Sequence, residues 1–131
     1  MQVRDAVEAD AERLAELTDA PTDVMRNLVH DRTVRVAVTG EDEDADILGF
    51  VSYDARARTV HVTQLEGTPA VCDRLLAEPV RFAEGEGMAV ELLVPEPDEE
   101  ARSAADSAGF ERVGSGPRFD GTPTVRYRLE G

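Results

Sequence analysis

The chain contains no lysine. All 14 of its basic residues are arginine, they face 28 acidic residues, and the formal charge is −14. Nucleic-acid binding calls for basic patches, so this balance argues against a nucleic-acid partner. The acidity has two readings. It can attract a basic partner, or it can be an adaptation to a cytoplasm of molar salt, where carboxylates keep a protein hydrated. Lysine is missing from the whole length rather than from one patch, which favours the second, halophilic reading. At molar salt the Debye length is about 3 Å, so the net charge would steer ligands little.

Cysteine and histidine are nearly as scarce. The single cysteine, Cys72, excludes an internal disulfide and any cysteine-rich zinc site. His30 and His61 stand far apart without metal-ligand spacing, so no metal is expected. No apolar run approaches the roughly 20 residues of a membrane span. The chain opens into a strand and an acidic helix rather than a basic-then-apolar leader, and the expectation is a cytoplasmic protein with no membrane partner. With 131 residues and 41% hydrophobic content, residues 1–131 are expected to fold as a single domain with an ordinary core.

Hydrophobic periodicity then organises the chain. Residues 2–6 alternate as a first strand. Glu8 to Asp19 fit a helix with Ala11, Leu14, Ala15 and Leu17 as its apolar stripe and acidic residues in its first turn. Pro21 to Asp23 open a second helix carrying Val24, Met25, Leu28 and Val29. Thr33 to Thr39 is a β-branched strand, and Gly40 to Asp46 an acidic hairpin loop. Leu48 to Tyr53 form the next strand, Asp54 to Arg58 a turn, and Thr59 to Leu65 the returning strand. A helix from about Ala70 to Glu84 follows, with Pro79 expected to kink or end it. Ala89 to Val94 reads as a buried central strand. Asp98 starts a helix ending near Gly109, and Glu111 to Gly114 and Thr124 to Leu129 are the last strands. The order is βααβββαβαββ, an α/β (α+β) arrangement with a short parallel pairing at its centre.

That order, with the stretch A-V-E-L-L-V-P-E-P-D-E-E-A-R-S-A-A-D-S-A-G-F-E-R-V-G from Ala89 to Gly114, resembles the GCN5-related N-acetyltransferases (GNAT). The family pattern after its fifth strand is Asn, Ala three on, Tyr seven on, and Gly-Phe eleven and twelve on. Here these positions read Asp98, Ala101, Ala105, Gly109 and Phe110, so the spacing holds while the usual tyrosine is an alanine. The resemblance covers nearly the whole chain. It implies a GNAT-like mixed, mostly antiparallel sheet of six to seven strands flanked by about four helices.

The resemblance also implies an N-acetyltransferase that moves an acetyl group directly from acetyl-CoA, as co-substrate, to a primary amine of a small molecule or protein. The alternative it leaves open is an inactive module of the same fold that senses an acyl-CoA or another ligand, or mediates a protein interaction. Sheet-edge dimers among relatives make a homodimer an expected partner. In the family, strand four ends in a bulge, and a Gln/Arg-x-x-Gly-x-Gly/Ala loop opens the next helix. Backbone N–H groups at that helix N-terminus cradle the pyrophosphate, and glycines let the backbone come close. An ungapped match sets Gly67, Ala70 and Cys72 at the motif positions. Starting instead at Gln64 recovers Gln64 and Gly67 but puts Pro69 third. The implied cofactor-binding residues are Val62, Thr63 and Gln64 on the strand, Gly67, Thr68, Ala70, Val71 and Cys72 in the loop, and Asp98.

Amine acetylation needs a base for the amine proton, a donor that polarises the thioester carbonyl, and an acid or solvent for the thiolate. A backbone amide near Val62 to Gln64 can supply the second. His61 and Glu66, on or beside strand four, are the candidate bases, and Tyr127 on the last strand is the candidate acid in place of the missing tyrosine. Each also has a plain structural reading: His61 a half-buried strand residue, Glu66 a surface carboxylate, Tyr127 and Cys72 packed side chains, Thr68 a helix cap. Tyr53 either lines the acyl-acceptor cleft or packs.

Overall fold

A computed structural model describes residues 1–40, 46–118 and 121–130. Most of the expected acidic hairpin loop at Gly40 to Asp46 lies outside the described residues, as does part of the segment joining the last two strands.

Alternation of apolar and polar residues along the strands builds one seven-stranded sheet. Its strands are β1 (Gln2–Asp5), β2 (Thr33–Val38), β3 (Ile47–Arg56), β4 (Thr59–Glu66), β5 (Ala89–Pro95), β6 (Glu111–Ser115) and β7 (Thr124–Leu129), in the spatial order β1-β2-β3-β4-β5-β7-β6. Every neighbouring pair is antiparallel except β4 and β5. The expected fold class and element order are therefore what the chain adopts. The helices are α1 (Ala11–Thr18), α2 (Thr22–Asp31), α3 (Pro69–Glu86) and α4 (Glu99–Ser107).

The two faces of the sheet carry separate apolar clusters. On one, Ala37, Val51, Val60, Val62, Val90, Leu92 and Val94 meet Leu75 and Leu76 of α3 and Ala104 and Ala105 of α4. On the other, Val34, Val36, Val38, Ile47 and Phe50 meet Leu14 of α1 and Met25 of α2. Leu75 and Leu76 are fully buried, and truncating either to alanine is expected to cost about 2–5 kcal/mol. A buried carboxylate ties α3 to β2: Glu78 lies 3.9 Å from Arg35, 3.3 Å from Arg74 and 3.7 Å from Arg81.

Four local expectations change. The first turn of the first helix, Glu8–Asp10, is 3-10 rather than α. There the Asp10 carboxylate accepts from the Val7 amide at 2.8 Å and from Arg4 at 2.8 Å. Pro79 does not end α3, which runs 18 residues to Glu86 before Gly87 stops it at φ +68°. Buried residues on both sides of Pro79, Leu75, Leu76 and Ala83 among them, hold the helix through the missing backbone bond. β5 is not buried on both faces, since Leu93 is 36% exposed on the side away from α3. Finally, β3 continues through Asp54 and Ala55 to Arg56, and the chain reverses in two residues, Ala57 (φ 51°) and Arg58 (φ 64°). Asp54 is thus a strand residue, paired with His61.

Candidate active site

The parallel pair β4–β5 is short. Its register runs from Thr59↔Ala89 to Val62↔Leu92 and stops. Beyond that point β4 stays with β3 as far as Glu66, and β5 stays with β7 as far as Pro95. The two strands diverge and open a wedge of about 170 Å³ between Thr63 to Glu66 on one side and Leu92 to Pro95 on the other, with Asp98 and Ala101 at its edge. Backbone groups that would have continued the ladder face this wedge.

A β-bulge marks where the divergence begins. Ser52 pairs with Gln64 and Tyr53 with Val62, so Thr63 is the extra residue of β4. The Thr63 hydroxyl donates to the Ser52 carbonyl at 3.2 Å and is hydrogen-bonded to the Ser52 hydroxyl, which fixes the bulge from the β3 side.

Past the wedge the chain turns into α3. Gly67 has φ +141°, in the region that favours glycine, and a Cβ there would stand 2.7 Å from Val71 Cγ1. On the adjoining strand a Cβ at Gly49 would stand 2.2 Å from the Glu66 carbonyl oxygen. These two glycines let the end of β4, β3 and the first turn of α3 pack together. Thr68 is the N-cap residue by backbone geometry (φ −68°, ψ 165°), yet its hydroxyl makes no capping bond. Pro69 occupies the first helical position, where no intrahelical bond is lost. The Cys72 amide donates to the Thr68 carbonyl at 2.8 Å, the first bond of the helix. The amides of Thr68, Ala70 and Val71 precede it and, by helix geometry, lack intrahelical partners. Thr68, Pro69 and Ala70 are exposed, so this end of α3 opens to solvent.

The loop residues therefore divide. Thr68, Ala70 and Val71 present free amides beside Gly67. Cys72 does not: its amide is taken, its thiol lies 3.5 Å from the Gly67 carbonyl, and it is 4% exposed. Burial, then the carboxylates of Glu66 and Asp98, push that thiol up to about 11. Cys72 is a packed side chain in the floor of the loop.

Glu66 and Asp98 face one another across the wedge. Burial first, and the Asp98 charge second, hold the Glu66 carboxyl above its ordinary range. The Asp98 carboxylate caps α4 by accepting from the Ala101 amide at 3.1 Å. Ala105, at the family's tyrosine position, is fully buried against the core.

A second opening, of about 500 Å³, lies between α2 and the β3–β4 pair. Val24, Leu28, Asp31, Arg32 and Asp54 line it, and Thr63 and Gln64 line both openings. The bulge is therefore the partition between them. The remaining candidates lie elsewhere. Tyr127 is 3% exposed inside the core under α3 and α4, in neither opening, so it does not join the site. His61 sits on β4 opposite Asp54 and Glu91, two residues before the bulge, and also lines neither. Tyr53 packs on Phe82 of α3 with ring centroids 6.1 Å apart.

Sequence reasoning missed Asp54, because it assigned that residue to a turn. An Asn-Gly or similar pair would have signalled the tight reversal, but Ala57 and Arg58 hold left-handed backbone without that signature. Among the described residues, no cluster suited to a metal ion is present.

No protein-family model and no curated protein matches the chain. Solved structures do. Arabidopsis thaliana NAA60 in complex with acetyl-CoA is 16% identical over 98% of this chain and 97% of its own, with a TM-score of 0.80. A ribosomal-protein-alanine N-acetyltransferase from Brucella melitensis is 17% identical over 99% of both chains, with a TM-score of 0.78. The aminoglycoside 6'-acetyltransferase type Ii is 15% identical over 99% of this chain and 97% of its own, with a TM-score of 0.75. At such identities the likeness is one of architecture, and with the bulge, the strand divergence and the order of elements it leads to one conclusion: this chain has the fold of the GNAT acetyltransferases.

Proposed function

We propose that the protein is an N-acetyltransferase that moves an acetyl group from acetyl-CoA to a primary amine by direct transfer. The observation that carries this reading is the wedge between β4 and β5, with free helix-terminal amides at one end and a second opening across the bulge. Structural neighbours that are acetyltransferases, one in complex with acetyl-CoA, support the same reading.

The residues fit such a donor. The amides of Thr68, Ala70 and Val71, at the positive end of an 18-residue helix, suit a pyrophosphate. Gly67 and Gly49 let β3, the end of β4 and the first turn of α3 pack closely, which sets these amides beside the wedge. Unpaired strand edges on both sides of the wedge offer hydrogen bonds to the amides of the pantetheine arm, and an amide of the Val62 to Gln64 segment polarises the thioester carbonyl.

In the transfer, the amine nitrogen attacks the thioester carbonyl carbon, the carbon–sulfur bond breaks, and the thiolate takes a proton from solvent. Glu66, the titratable group of the wedge with raised proton affinity, accepts the amine proton through water. With Tyr127 in the core and Ala105 unable to donate, no side chain is needed to protonate the thiolate, a fair leaving group.

Two measurements test this. Calorimetry and amide shifts in molar KCl should give saturable acetyl-CoA binding, with shifts concentrated at 67–73. Release of free thiol should then accompany acetylation across a panel of amines. Absence of binding up to millimolar acetyl-CoA overturns the donor site, and binding without turnover overturns the enzyme reading in favour of a sensing module.

A further inference from the structure

A regular strand puts every second residue on the same face of the sheet. On β4, Val60 and Val62 pack into the α3 cluster, but the next residue to do so is Leu65, three positions on. The apolar pattern therefore demands one extra residue between Val62 and Leu65. A ladder continued past Tyr53↔Val62 without one would set Gln64 opposite Val51, which is fully buried under α3. It would also set Leu65 opposite Phe50, on the α1/α2 side. Such a slip exchanges the two faces of the strand and drives a carboxamide into an apolar core.

The apolar pattern does not say which residue is the extra one. With Thr63 out of the ladder, Gln64 faces Ser52; with Gln64 out, Thr63 would face Ser52. Both arrangements keep Leu65 opposite Val51, and the chain adopts the first. What separates them is a pair of hydroxyls. Thr63 Oγ1 donates its one hydrogen to the Ser52 carbonyl at 3.2 Å, so in its bond with Ser52 Oγ it is the acceptor. The two bonds close a small loop between β3 and the extra residue. From the other side no backbone ladder holds Thr63, since the β4–β5 pairing ends at Val62↔Leu92. Ser52 is fully buried and lines neither opening, whereas Thr63 lines both.

We infer that the Ser52–Thr63 hydroxyl pair sets the register of the bulge, and with it which amide of β4 is offered to the acyl carbonyl. The extra residue is the one whose backbone leaves the β3 ladder, so moving it from Thr63 to Gln64 presents a different peptide group to the wedge. Ser52 is then a positioning residue: it acts through Thr63 and the backbone, away from any substrate. The catalytic consequence rests on the acetyltransferase reading above, whereas the register itself does not.

Thr63→Val keeps the β-branched shape and removes the hydroxyl; Thr63→Ser keeps the hydroxyl. In the free protein, backbone amide peaks of residues 62–66 should be shifted or doubled in Thr63→Val and close to wild type in Thr63→Ser, with 67–73 little moved in either. At saturating acetyl-CoA and amine, kcat should fall roughly tenfold in Thr63→Val, the scale of one lost hydrogen bond. Calorimetric affinity for acetyl-CoA should stay close to wild type, and Thr63→Ser should restore kcat. Ser52→Ala leaves the Thr63 bond to the carbonyl in place, should move kcat and the same peaks less far in the same direction, and serves if Thr63→Val does not fold. Unmoved 62–66 peaks in Thr63→Val, or a kcat loss that Thr63→Ser shares in full, overturns the inference, as does a lower Tm with kcat unchanged. A wild type that releases no thiol, with the bulge peaks still doubled in Thr63→Val, keeps the register device and loses the acetyltransferase reading.

Discussion

Ala70→Glu separates helix electrostatics from ligand electrostatics. Ala70 is exposed at the second position of α3, where its amide lacks an intrahelical partner. A carboxylate there complements the positive helix end and should stabilise the free protein by about 0.3–1 kcal/mol. For a chain of this size that raises Tm by about 1–4 °C. The same carboxylate would sit against the donor's phosphates. Two unit charges about 4 Å apart at an effective dielectric near 20 repel by about 4 kcal/mol before screening. Side-chain rotation away from the phosphates reduces this, so a loss of about 10- to 100-fold in acetyl-CoA affinity is expected at low salt. Between about 0.2 and 2 M KCl the loss should shrink as the Debye length contracts to a few ångströms. Calorimetric titration of wild type, Ala70→Glu and the uncharged control Ala70→Gln measures it. Equal affinity for the Glu and Gln variants at every salt concentration would refute the amide cradle, as would a Glu variant that weakens binding only because it is less stable.

Two further outcomes follow from the same wedge. The folded-state pKa of Glu66 is raised above its unfolded value of 4.5, so the folded form holds the proton more tightly. Stability from this group is present below pH 4.5 and is lost as pH rises through the folded pKa. Glu66→Gln should therefore raise Tm at neutral pH and leave it nearly unchanged at pH 4, and a pH-independent difference would contradict the burial of that carboxyl. The Cys72 thiol, pushed up to about 11, should resist iodoacetamide at pH 8 in the folded protein and react on unfolding. Rapid alkylation of the native state would mean that the floor of the loop is open.

Much of the architecture was legible because the strands alternate and the helices carry apolar stripes, and those patterns depend on burial alone. Gly67 and the Thr68–Ala70 turn were legible for a related reason: a glycine followed by a proline at a helix start constrains the backbone locally. What escaped was decided by neighbours distant in sequence. Pro79 reads as a helix breaker, but the core on both sides of it carries α3 onward. Leu93 reads as buried, yet α3 and α4 pack on the other face of β5, against Leu92 and Val94. Tyr127 reads as a polar handle near the chemistry, while its alternation places it on the α3 side. Asp54 was hidden because Ala57 and Arg58 make a reversal usually left to glycine or asparagine, and a turn three residues tighter than expected moved a carboxylate onto the sheet.

The divergence of β4 from β5 also bears on how the two halves of the molecule hold together. Among the described residues, the sheet joins them through four residue pairs, from Thr59↔Ala89 to Val62↔Leu92, with α3 bracing them from one side. A donor lying in the gap would act as a missing rung, hydrogen-bonded to both halves at once. The Leu93 amide, at the free margin of the gap because the Glu96 amide two steps past Val94 donates to Pro123 on the β7 side, would then become a position strongly slowed in exchange with solvent when donor is added.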